Sequence, residues 1–64
     1  MQLTKIRVAR FKRGLYQWEL AKKAGLPDSI LSRIETGRLH PSLDQLCKIA
    51  EVLSVDPEEL RGEV

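Results

Sequence analysis

The chain has little of what catalysis, metal binding or disulfide bracing needs: its 64 residues include one Cys, one His, one Trp, one Tyr and one Phe. A lone cysteine cannot form an internal disulfide framework, and one Cys with one His supplies too few ligands for structural zinc. No apolar run approaches the roughly 20 residues of a membrane span, and residues 1–16 lack the apolar segment of a secretory leader. Repeats, low-complexity segments and linkers are missing too, and only the tail 61–64 is weakly specified. These absences point to a soluble, cytoplasmic chain forming one domain over 1–64. A chain this short buries only about 60% of its unfolded surface, so helices joined by short loops are the economical way to close a core.

Glycine and proline are present in ordinary amounts, four and three, and their positions are informative. Within 17–37, Leu20, Ala21, Ala24, Leu26, Leu31 and Ile34 form an apolar seam, with alanines where two helices would approach most closely. Gly25 can take positive φ and end the first of them. Pro27 disfavours helical geometry at Leu26, while its own fixed φ suits the start of the next helix. The break is about three residues long, the spacing of a helix-turn-helix, which makes double-stranded DNA the expected partner.

Placing residues about 100° apart around the second of these helices separates its faces. Ile30, Leu31 and Ile34 share one arc. Asp28, Ser29, Ser32, Arg33 and Thr36 share the other, a strip of short polar groups and one long cation able to approach base edges in a major groove. Any amphipathic surface helix has a polar face, so the strip needs its context. Charge supplies it: residues 1–38 hold nine Lys or Arg against three acids, and 39–64 hold two against six, leaving the net +2. The basic half contains the proposed reading helix, as phosphate attraction requires.

Three further helices complete an all-α, five-helix architecture. The first is expected over about 4–13, with Leu3, Ile6 and Ala9 inward and Gly14 as terminator. Val8 and Phe11 fit that stripe poorly: either the buried face is wider, or Phe11 covers the edge of the core. Ser42 and Gln45 form a capping box for the fourth, followed by Leu43, Leu46, Cys47, Ala50 and Leu53 at helical spacing. Asp56, Pro57 and Glu59 read as a second box opening the fifth, docked by Val55 and Leu60.

No catalytic constellation emerges. His40 lies in a loop without a nucleophile or ligand near it, Cys47 reads as a small core residue, and Glu58, Glu59 and Glu63 read as solvated helix-end charges. No enzyme activity, metal, cofactor or small-molecule ligand is expected. One pairing is sharper. Arg10 lies close to the apolar stripe of the first helix and Glu35 at the border of the reading helix, and each would be costly there alone. Their meeting in a salt bridge is the simplest remedy.

Taken in order, Arg10, Gly14-Leu15, Gln17, Leu20-Ala21, Gly25, Ser32-Arg33-Ile34-Glu35 with Gly37, Pro41-Ser42-Leu43, Lys48-Ile49-Ala50 and Leu53 resemble the Cro/C1-type, or Xre-type, helix-turn-helix family of phage and bacterial repressors. The resemblance spans 6–60. It implies a lambda-repressor-like five-helix bundle whose second and third helices form the helix-turn-helix. It also implies a transcription regulator, repressor-like, acting as a homodimer on a palindromic site. It implies that Gln17 grips a phosphate, that Asp28, Ser29, Ser32 and Arg33 face bases, and that Arg10 and Glu35 form a buried salt bridge. Tyr16 departs from the small capping residue usual at its position, and its phenol could reach a phosphate instead. Ser54 replaces a common glycine. Asp28, acidic where polar or basic groups are usual, caps the reading helix, accepts from a cytosine, or does both.

Lys22, Arg38, His40 and Ser42 join Tyr16 and Gln17 as expected phosphate contacts. Lys5, Arg7, Lys12, Arg13 and Lys23 add to the non-specific field. Arg33 is the leading base-reading candidate, with a phosphate as its alternative target. A dimer surface is expected near residues 55–60. The alternative class is a protein-interaction module, such as an antitoxin-like partner using the same fold. An exposed apolar patch or an extension beyond the bundle would favour it, and a chain ending at Val64 leaves little room for the latter.

Overall fold

Apolar residues at helical spacing give five helices in the computed structural model, which describes residues 4–61: α1 (Lys5–Lys12), α2 (Gln17–Ala24), α3 (Asp28–Glu35), α4 (Leu43–Leu53) and the one-turn α5 (Pro57–Leu60). The described residues include no strand. Helix α2 packs on both α3 and α4, α4 carries α5, and α1 leans on α4 and α5. Leu20, Leu31, Ile49 and Leu53 are fully buried where these stripes meet, joined by Ile6, Ala21, Ala24, Ile34, Leu46, Ala50 and Leu60. Leu3 lies outside the described residues.

The α2–α3 turn is Gly25-Leu26-Pro27. Gly25 sits at φ 71°, and the Leu26 N–H returns to the Ala21 carbonyl at 2.9 Å, closing the helix end. Nothing lies within 4 Å of where a Cβ would stand on Gly25, so backbone conformation and not crowding demands glycine. Ser54 meets the same demand at φ 58° with a side chain, while Val55 N–H reaches the Ala50 carbonyl at 3.0 Å.

Four expectations need correction. Leu43 is 68% exposed and Cys47 is also exposed. The buried stripe of α4 is Leu46, Ile49, Ala50 and Leu53; at about 100° per residue, Leu43 and Cys47 lie on its flank. Thr4 is a cap and not a helical residue: its Oγ1 accepts from Arg7 N–H at 3.2 Å. The Asp56 carboxylate accepts from Glu58 N–H at 3.0 Å, but Glu59 makes no reciprocal bond, so α5 opens with a cap alone. Asp28 is not the cap of α3 either. Pro27 holds that position, with no side-chain bond, and Asp28 is the first helical residue, where its charge suits the helix dipole. The box on α4 does form: Ser42 Oγ accepts from Gln45 N–H at 3.1 Å, and Gln45 Oε1 accepts from Ser42 N–H at 2.9 Å.

Candidate nucleic-acid interface

The orientation of α3 is set by a buried polar cluster at its C-terminal end. Arg10 Nε donates to Glu35 Oε2 at 2.8 Å and a terminal guanidinium nitrogen donates to Oε1 at 3.1 Å, a two-point contact between α1 and α3. Glu35 is 0% exposed, and Arg10 is also buried. The other terminal nitrogen of Arg10 donates to the Leu15 carbonyl at 2.7 Å, so one side chain fixes α1, the turn before α2, and α3. Gln17, first residue of α2, adds a donor to Glu35 Oε1 at 3.3 Å. Thr4, while capping α1, donates its hydroxyl to the Glu35 carbonyl at 3.0 Å.

Phe11 closes this cluster from outside. Its ring lies 4.7 Å from the Arg10 guanidinium carbon and 5.7 Å from that of Arg7, with about half of the residue left in water. Phe11 therefore covers the arginines and not the edge of the apolar core, to which it does not belong. Thr4 escaped notice as a tertiary contact, although its type and place, just before the first apolar position, carry an N-cap signal.

From this mount α3 presents one face outward. Asp28, Ser29 and Arg33 are exposed and Ser32 is half-buried. Thr36 belongs to the same arc, but its hydroxyl donates to the helix's own carbonyls, within 3.0 Å of Ser32 O and 3.2 Å of Arg33 O. Tyr16, Lys22, Arg38, His40 and Ser42 are exposed, and Gln17 is half-buried. Tyr16 gives α2 no side-chain cap. Instead the Glu19 carboxylate accepts from the Tyr16 N–H at 2.9 Å.

The basic field is less uniform than its charge count. Lys5 donates to the Arg61 carbonyl at 3.1 Å, and Arg13 Nε donates to the Leu53 carbonyl at 2.8 Å. These two cations therefore brace α1 against the far ends of α4 and α5. Among the described residues no three His, Cys, Asp or Glu side chains gather as a metal site, and no helix is long and apolar enough to cross a membrane.

Two helices joined by a three-residue glycine turn, the second held by a buried ion pair with its polar face outward, define the class of helix-turn-helix regulators. The comparisons agree. A helix-turn-helix family model matches residues 5–60. An uncharacterized HTH-type transcriptional regulator of Archaeoglobus fulgidus is 42% identical over 57 residues, covering 89% of this chain and 81% of that protein. Among solved structures, the restriction-modification controller protein C.AhdI of Aeromonas hydrophila superposes with a TM-score of 0.85 at 35% identity, over 89% of this chain and 86% of that one. The chain belongs to the Cro/C1-type helix-turn-helix family of DNA-binding transcription regulators.

Proposed function

We propose that the protein is a repressor-like regulator that reads a palindromic DNA site as a homodimer, with α3 in the major groove. The outward polar face of α3, rigidly carried by Arg10–Glu35, is the observation that carries this reading. Ser29 and Ser32 allow close approach to base edges, and Arg33 offers a two-pronged donor suited to guanine. Asp28, free of a capping bond, accepts from a cytosine amino group. Backbone N–H groups in the first turn of α2, with Gln17, Tyr16 and Lys22, take one phosphate strand; Arg38, His40 and the Ser42 hydroxyl take contacts beyond the reading helix.

One reading helix rarely provides enough affinity, and two copies about 34 Å apart would address successive turns of the duplex. Half-buried Val55, in a shallow groove with Val8, Ala9, Leu53 and Leu60 and the charged Lys5, Lys12, Arg13 and Glu59, supports a dimer contact at the α4–α5 corner.

Selection from a randomised duplex library, with the winner retested across salt concentrations, is the test. A palindrome with half-sites one turn apart and a steep loss of affinity with salt is expected. Arg33→Ala should lower discrimination at one base position by about 1–3 kcal/mol while leaving the melting temperature nearly unchanged. Salt-sensitive binding without enrichment would refute sequence reading. No binding to any duplex would favour the protein-interaction alternative.

A further inference from the structure

Two of the exposed large hydrophobic side chains among the described residues stand together at the start of α2. Tyr16 is 68% exposed and Trp18 is 55% exposed, and their rings stack with centroids 6.5 Å apart and planes 11° from parallel. Neither ring serves the core, and Tyr16 does not cap its helix. An isolated exposed aromatic needs no explanation, but a stacked pair is a prepared surface, rigid and large at little cost in side-chain entropy on binding.

The chemistry around the pair narrows what it can meet. Lys22 lies one turn beyond Trp18 on the same side of α2, is exposed, and belongs to none of the described ion pairs. The one acid of α2, Glu19, is half-buried and turned onto the Tyr16 N–H. On α2 the patch is therefore apolar and cationic, with the helix's own carboxylate engaged by its backbone. Gln17, between the two aromatics in sequence, bonds to Glu35 at the end of α3, so the start of α2 that bears both rings is tied to the helix that reads.

We infer that Tyr16, Trp18 and Lys22 form a sequence-independent grip on the phosphodeoxyribose strand flanking the groove that α3 enters. The inference rests on the DNA-reading function proposed above. Such a strand alternates apolar sugar faces with anionic phosphates, which matches stacked rings beside an ammonium group. The indole N–H and the phenol O–H are donors for phosphate oxygens, and a lysine beside them supplies the charge. Trp18 is the residue this adds to the interface.

Trp18 is the chain's only tryptophan, so its own fluorescence reports on the contact. The selected site and an unrelated duplex of equal length are each titrated into the protein, with acrylamide quenching before and after saturation and gel retardation in parallel. Both duplexes should protect the indole severalfold. Trp18→Ala should weaken both complexes by roughly tenfold while their affinity ratio stays the same. Gel retardation with unchanged quenching, and Trp18→Ala binding like the parent, would overturn the grip while leaving sequence reading intact. No retardation with any duplex would overturn both. Circular dichroism confirms that Trp18→Ala remains folded; if it does not, the quenching result on the unmodified chain decides.

Discussion

The two halves of the molecule are stabilised differently. The α4–α5 half relies on local signals: Ser42 and Asp56 cap their helices, and Leu46, Ile49, Ala50 and Leu53 form one aliphatic stripe. The α2–α3 half has neither helix capped by the side chain at its start, since Tyr16 and Pro27 occupy those positions. Its geometry comes from contacts between residues distant in sequence, with Arg10 reaching Glu35 across 25 positions and Thr4 reaching the Glu35 carbonyl across 31. Local signals suffice to place a scaffold helix. A surface that must present particular side chains at a set angle needs long-range bonds with directional chemistry. The uncapped first turns also leave backbone N–H groups free for an anionic partner.

The comparison breaks most visibly at Arg10. Arg10→Met strands a carboxylate at 0% exposure, with the 3.3 Å bond from Gln17 left as its remaining side-chain partner. A loss of about 3–5 kcal/mol in chemical denaturation is expected. Adding Glu35→Leu should recover much of that loss, because two apolar groups replace two charges. A double variant as unstable as Arg10→Met would mean that shape, and not charge, holds α3.

A smaller effect separates the two kinds of helix start. Ser42→Ala removes a bond at 3.1 Å and should cost about 1 kcal/mol of unfolding free energy, whereas Tyr16→Ala, which removes no cap, should stay within about 0.5 kcal/mol. Equal costs would erase the contrast. The smallest change is a gain. Ser54→Gly relieves a side chain at φ 58°, worth about 1–2 kcal/mol, and gives back about 0.5–1 kcal/mol in unfolded-chain entropy. A rise in melting temperature equivalent to about 0.5 kcal/mol is expected from thermal unfolding.

Much of the fold was legible because its signals are local. Gly25 and Pro27 state the turn, Ser42 and Gln45 state the start of α4, and the burial of Leu20, Leu31 and Leu53 follows from helical period. Leu43 and Cys47 were misplaced because an apolar side chain declares its preference but not its phase. A rotation of about 100° per residue carries both off a stripe that Ile49 joins. The outward face of α3 was equally legible, but the hydroxyl of Thr36 is consumed by the helix itself. Trp18 gave no sign as a site residue, since an aromatic at helical spacing is ordinarily core; its stack on Tyr16 appears only once both are seen in water.

The sequence by itself determined the five helices, the three-residue turn, the division into basic and acidic halves, and the family. Each depends on residues close together in the chain or on simple composition. Only the tertiary structure decided which cations are spent inside the molecule. Lys5 and Arg13 bond to carbonyls at the ends of α5 and α4, Arg10 is buried on Glu35, and Lys22 and Arg33 remain exposed. Formal charge is a property of each residue, but its availability to a partner depends on which acceptors the folded chain brings within about 3 Å of it.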